Sequence, residues 1–120
     1  MDFFPTFLEL ANIQNFNGLL DGMSLVPLMR GEEIQERPLF WHIASTYKNP
    51  PCSIIRKGKW KLIQFLIDGR VELYNLEEDL KESKNLAEVE EQMTKMLLDE
   101  LVSWRKENNV PLPPASILKY

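Results

Sequence analysis

Ser53-Ile54-Ile55-Arg56-Lys57-Gly58-Lys59-Trp60-Lys61-Leu62-Ile63 sets two β-prone runs on either side of a glycine. Branched and aromatic side chains suit a pleated surface, and a glycine between two such runs predicts a hairpin. Directly downstream, Phe65-Leu66-Ile67 meets Asp68-Gly69, a pair that favours a type I′ turn, and Arg70-Val71-Glu72-Leu73-Tyr74 follows. Two successive hairpins predict an antiparallel meander of three strands. Upstream, Pro38-Leu39-Phe40-Trp41-His42 is also β-prone and supplies a fourth. Strand alternation places Trp60 and Leu62 on one face and Lys61 and Ile63 on the other. Both faces are partly apolar, so each should be covered.

Working outward, residues 75–86 read as an acidic, polar connection, and a long helix is expected over roughly 86–107. Its apolar stripe is Val89, Met93, Met96, Leu97, Leu101 and Trp104, spaced by three and four. Such a stripe belongs to a core. Asn85 followed by Glu88 resembles a capping box with Asn in place of Ser or Thr. The tail from Asn108 contains three prolines and should be extended. On the other side of the meander, residues 2–12 read as a short helix. Asp2 is placed to cap it, Pro5 falls in its first turn, and Asn12 suits a left-handed stop. Residues 13–36 are punctuated by Gly18, Asp21-Gly22, Pro27 and Gly31. Leu19, Leu25, Leu28 and Met29 are expected to anchor that stretch to a core. The fold class is therefore α+β. A small antiparallel sheet of about four strands packs against a long C-terminal amphipathic helix, preceded by a short N-terminal helix.

Composition narrows the function classes. The chain has 120 residues, 44% apolar and 27% charged, ordinary for one globular domain. No apolar run approaches the roughly 18 residues that span a bilayer, so no membrane segment is expected. The apolar start carries Asp2 where a secretion signal would carry a basic region, and reads as a helix. A single cysteine, Cys52, rules out an intrachain disulfide. It reads as a half-buried strand thiol. The net charge of −4 is unevenly spread: residues 30–70 carry eight bases and four acids, and residues 71–107 carry five bases and eleven acids. Lys48, Arg56, Lys57, Lys59 and Lys61 form a strip free of acids, able either to hold an anion or to stand as a solvated hairpin. No basic footprint covers the whole domain, so nucleic acid is not an expected partner.

Four segments in order resemble the C-terminal stretch of formylglycine-dependent type I sulfatases of the alkaline-phosphatase-like superfamily. They are Asp2-Phe3-Phe4-Pro5-Thr6-Phe7-Leu8-Glu9-Leu10-Ala11, Asp21-Gly22-Met23-Ser24-Leu25-Val26-Pro27-Leu28-Met29, Arg37-Pro38-Leu39-Phe40-Trp41-His42, and Ile55-Arg56-Lys57-Gly58-Lys59-Trp60-Lys61-Leu62-Ile63 followed by Glu72-Leu73-Tyr74-Asn75-Leu76. The resemblance covers residues 2–107 and is to bacterial sulfatases acting on sulfated glycans. It implies that residues 1–36 are the end of the large sulfatase domain with its inter-domain crossover. Residues 37–120 would then be the C-terminal subdomain. It also implies a periplasmic or secreted parent enzyme that uses Ca2+ and a formylglycine made from Cys or Ser in a C/S-x-P-x-R motif. Here Cys52 is followed by Ser53-Ile54-Ile55-Arg56, with no proline two positions on, and the five aspartates are scattered. The chain is thus expected to carry no catalytic residue, no metal ligand and no cofactor of its own. Its expected partners are the N-terminal catalytic domain and, in the intact enzyme, a sulfated substrate. Self-association through the apolar residues of the N-terminal segment is also expected.

Trp41, His42 and Arg56 are the candidates for touching that substrate. Indole stacks on a pyranose face, protonated imidazole donates to an anion, and guanidinium meets sulfate or carboxylate bidentately. Set against this, Trp41 reads first as core and His42 as a satisfied strand-end residue. Two function classes follow: a structural and substrate-contacting part of a sulfatase, inactive alone, or a stand-alone binding module that kept the fold without the catalysis. A reading frame that continues upstream through a C/S-x-P-x-R segment separates them.

Overall fold

A computed structural model of the chain describes residues 1–44 and 50–114. Lys48 and the last six residues of the tail fall outside that range. The chain divides into two units, Met1–Glu36 and Arg37–Tyr120.

The first unit holds helices α1 (Phe3–Leu10) and α2 (Val26–Met29). Asp2 precedes α1 but its side chain does not cap it. That residue is itself in helical conformation, and its Oδ1 accepts from the Met23 N–H instead. Thr6, 4% exposed, makes the complementary tie: its hydroxyl donates to the Asp2 carbonyl and accepts from the Leu25 N–H at 2.9 Å. The D-G-M-S-L segment is therefore held by two polar residues, Asp2 and Thr6, at the start of α1. Gly22 permits the approach, since a Cβ there would meet the Met1 carbonyl oxygen at 2.5 Å. Val26 is buried, whereas Leu19, Leu28 and Met29 are exposed and do not anchor the stretch as expected. Asn12 does terminate α1. It sits at φ +55°, and Ile13 N–H reaches back to the Leu8 carbonyl in a Schellman closure.

The second unit is an antiparallel sheet in chain order: β1 (Leu39–Ile43), β2 (Cys52–Lys57), β3 (Trp60–Phe65) and β4 (Val71–Asn75). Helix α3 (Glu91–Glu107) lies against it. The β2–β3 hairpin closes through Gly58-Lys59, with Lys57 opposite Trp60. Gly58 at φ +54° supplies the left-handed first turn position. The next connection departs from the expected two-residue turn. Phe65 N–H bonds to the Arg70 carbonyl, leaving a four-residue loop over 66–69. Leu66 is drawn in to 3% exposure, its N–H bonded to the Pro51 carbonyl, and this removes it from the hairpin ladder.

Ile55, Leu62, Leu73, Leu97 and Leu101 form the core, all fully buried. Phe40 stacks on Trp104 at 4.7 Å between ring centroids. Helix α3 begins about one turn later than its apolar spacing implied. Asn85 makes no capping box, because its amide serves β4: Oδ1 accepts from Leu73 N–H and Ala87 N–H, and Nδ2 donates to the Val71 carbonyl. Val89 falls in the intervening turn and is exposed, and Met96 is half-exposed, so neither belongs to the core stripe. The helix ends at Asn109, φ +49°, in a second Schellman closure from Val110 N–H to the Arg105 carbonyl.

Candidate functional site

Alternation divides the sheet residues between two faces. Phe40, His42, Ser53, Ile55, Leu62 and Leu73 share the face that carries α3. Trp41, Ile54, Arg56 and Lys61 share the other. On that second face a cavity of about 410 Å³ opens, walled by Trp41, Ile43, Ile54 and Arg56 from the first two strands and by Lys61 from the third. Leu76 and Glu82, from the connection after β4, close its remaining side.

The structure brings Trp41 and Arg56 to this one cavity. Trp41 is 46% exposed, with indole surface open to a ligand. Arg56 is exposed, and its guanidinium has neither a hydrogen bond nor an ion pair among the described residues. Among the described residues, the rest of the basic strip is spoken for. Lys57 points to the helix side and pairs with Glu100 at 2.8 Å. Lys59 lies over the Trp60 ring. Lys61 pairs with Glu82 at 2.6 Å, inside the cavity wall. The cavity thus combines an aromatic plate, a neutralised ion pair and an unpaired guanidinium.

His42 borders the cavity through its strand, but its ring turns to the opposite face. Nδ1 lies 2.9 Å from the hydroxyl of Ser53, a fully buried residue. Nε2 is buried without a hydrogen-bond partner in acceptable geometry among the described residues. Burial holds the ring below the ordinary histidine range, the nearby Pro111 carbonyl opposes this, and the Arg105 charge adds to it. A ring so placed is neutral near pH 7. Cys52 is buried on the cavity face of β2, where burial pushes its thiol up and the Lys61 charge only partly opposes it. A thiol held protonated is a poor nucleophile.

Lys61 was legible as a companion of Arg56, because a turn at Gly58-Lys59 pairs the two positions across the hairpin. Glu82 was not. It lies in an irregular connection, at φ +54°, and no periodicity points to it. Among the described residues no group of three or more His, Cys, Asp or Glu side chains comes together to hold a metal ion. These residues do not fit the calcium that the resemblance implies. No helix among them is long and apolar enough to cross a membrane. The first unit has a cavity of its own, about 320 Å³, lined mainly by apolar residues such as Leu8, Ile13 and Phe16, and it lacks a comparable set of functional groups.

Comparison with known proteins places this arrangement. Residues 1–107 match the family model described as N-sulphoglucosamine sulphohydrolase, C-terminal. A choline-sulfatase of Rhizobium meliloti is 38% identical over 90 residues, covering 73% of this chain and 17% of its own. A Delta 4,5-hexuronate-2-O-sulfatase of Bacteroides thetaiotaomicron is 32% identical over 91 residues, covering 72% of this chain and 19% of its own. Among solved structures, a protein in complex with its substrate D-glucosamine-2-N,6-O-disulfate superposes with a TM-score of 0.69 at 27% identity, over 92% of this chain and 24% of that one. A 2-O GAG sulfatase superposes with a TM-score of 0.66 at 28% identity, over 91% of this chain and 25% of that one. The chain therefore spans only a sixth to a quarter of the length of these relatives. With the sheet, its covering helix and four ordered segments all in agreement, the chain belongs to the C-terminal domain family of the sulfatases.

Proposed function

We propose that this chain serves as the C-terminal subdomain of a sulfatase hydrolysing sulfate esters of glycans. In this reading it is inactive alone, gives structure to the enzyme and offers residues to the substrate. The observation that carries the reading is the cavity on the helix-free face, where an open indole and an unpaired guanidinium meet. The relatives named for sulfated sugars support the glycan assignment. Trp41 and Arg56 are the direct contacts. His42 acts from behind the strand: its bond to Ser53 fixes the register of β1 at the residue next to Trp41. The formylglycine and calcium implied by the resemblance belong to the catalytic domain, the partner of this one. The apolar surface of α1 is a second contact region, through which isolated chains associate.

The test uses the sulfatase that carries this domain. Alanine at Arg56 should lower kcat/KM on the glycan substrate by roughly tenfold or more, the worth of a charge-assisted hydrogen bond, and alanine at Trp41 by about tenfold through lost ring stacking. His42→Ala should act more mildly and mostly on KM. The 120-residue chain alone should leave an aryl sulfate intact. Turnover by the chain alone, or unchanged kcat/KM for both Trp41→Ala and Arg56→Ala, contradicts the proposal.

A further inference from the structure

We infer that His42, Ser53 and Gln64 form a hydrogen-bond relay across three adjacent strands, a pH-responsive device behind the wall of the cavity. The Ser53 hydroxyl serves the imidazole while the ring is neutral and turns to the Gln64 amide when the ring takes up a proton.

Register carries this. His42 stands opposite Ser53 in the β1–β2 pair, and Ser53 stands opposite Gln64 in the β2–β3 pair. Residues directly opposite in antiparallel strands share a face and set their Cβ atoms about 5 Å apart. The three therefore make one polar row across the sheet, on the face that carries α3. Ser53, at its centre, is fully buried, and its hydroxyl lies 2.9 Å from His42 Nδ1. Gln64 Oε1 is buried without a hydrogen-bond partner among the described residues. A buried acceptor in that condition costs free energy until a donor reaches it. The cross-strand hydroxyl of Ser53 is the donor that the register supplies.

The direction of the relay follows from the ring. Near the imidazole is the Pro111 carbonyl, from the segment after α3. A carbonyl only accepts, so it favours the tautomer with hydrogen on Nε2. Nδ1 of the neutral ring is then an acceptor, and the hydrogen between it and Ser53 comes from the hydroxyl. A hydroxyl has one hydrogen, so Gln64 Oε1 goes without. Protonation reverses this. A proton taken from solvent by Nδ1 makes that nitrogen a donor. The Ser53 oxygen accepts from it, and the hydroxyl hydrogen is released to Gln64 Oε1. The row then links β1, β2 and β3 without a break.

Burial opposes the proton, and so does the charge of Arg105 in the last turn of α3. The other elements around the ring present uncharged groups: Ser53 from β2, Gln64 from β3 and the Pro111 carbonyl. The bond gained at Gln64 offsets part of that opposition. Trp41 and Ile43 flank His42 on β1 and line the cavity from the other face. The strand that walls the cavity is thus held by a different set of bonds in acid than at neutral pH.

His42 is the single histidine of the 120-residue chain, so its titration is read directly from the imidazole nitrogen and proton shifts. Nitrogen shifts of the neutral ring should show hydrogen on Nε2 and an acceptor at Nδ1. Gln64→Met keeps the length of the side chain and removes the acceptor. It should move the His42 titration to lower pH, with the proton bound roughly three- to tenfold more weakly, the worth of one hydrogen bond. Ser53→Ala cuts the relay, and in that background Gln64→Met should leave the titration where it is. A neutral ring with hydrogen on Nδ1, or an unmoved titration in Gln64→Met, overturns the inference. So does an equal displacement by Gln64→Met with and without the Ser53 hydroxyl, since that effect would not pass through the relay.

Discussion

At the scale of single residues, Tyr74 and His42 give opposite pH signatures. Tyr74 is buried and donates its hydroxyl to Glu72, so its pKa is pushed up to about 12 from an ordinary 10. The folded state keeps the phenol proton longer than the unfolded state, so Tyr74 makes stability fall as pH rises from about 10 towards 12. An ultraviolet titration should show a late-ionising phase from Tyr74. Removing the Tyr74 hydroxyl with Phe should abolish that phase. His42 is depressed below its ordinary 6.5, so its contribution is fully present above pH 6.5 and is lost as pH falls through the depressed value. His42→Gln should flatten the acid limb of an unfolding profile measured between about pH 4 and 7. The sequence marked His42 for its chemistry but could not orient it. One residue of register decides whether a strand side chain faces cavity or helix, and only the Ser53 partner settles that here.

At the scale of elements, Asn85 and α3 carry the sheet. Asn85→Ala removes the side chain that satisfies Leu73 N–H and Ala87 N–H, and should cost about 1–3 kcal/mol in denaturant unfolding with little change in the helical signal. Leu97→Ala, at a fully buried position between α3 and the sheet, should cost about 2–5 kcal/mol. A loss below about 1 kcal/mol for Leu97 would mean that the helix does not seal this core. The strands and their order were legible because glycine turns and period-two alternation act over short distances. The late start of α3 was not legible. Asn85 followed by Glu88 fits a cap, but the same amide satisfies β4, and that competition is tertiary. The four-residue loop after β3 was hidden for a similar reason: Asp68-Gly69 favours a tight turn, while burial of Leu66 favours a wider one. In the candidate site, Arg56 and Trp41 could be named from chemistry alone. Glu82 could not, since an irregular connection places it.

For the molecule as a whole, exposed apolar surface is concentrated in Met1–Glu36. Phe3, Phe7 and Leu10 recur at helical spacing along α1 and are 69%, 61% and 58% exposed. An apolar stripe left open on a helix marks a contact surface. Sedimentation of the 120-residue chain should therefore depend on concentration, and Phe3→Ser with Phe7→Ser should return it to monomer. A monomer at every concentration would count against that use of α1. The second unit behaves differently because its strands lie in chain order, each bonded to its neighbour in sequence. Closing short loops costs little entropy, and sheets built from neighbours fold faster than those that must join distant strands. The β2–β3 hairpin can form first, β4 and β1 can then add on either side, and α3 can follow. Refolding of Arg37–Tyr120, in molecules whose prolines have kept their native isomers, should be a single fast phase, on the order of milliseconds, set by local zipping. A subdomain with this topology matures on its own clock, and its sheet and covering helix are complete before any slower neighbour has finished folding.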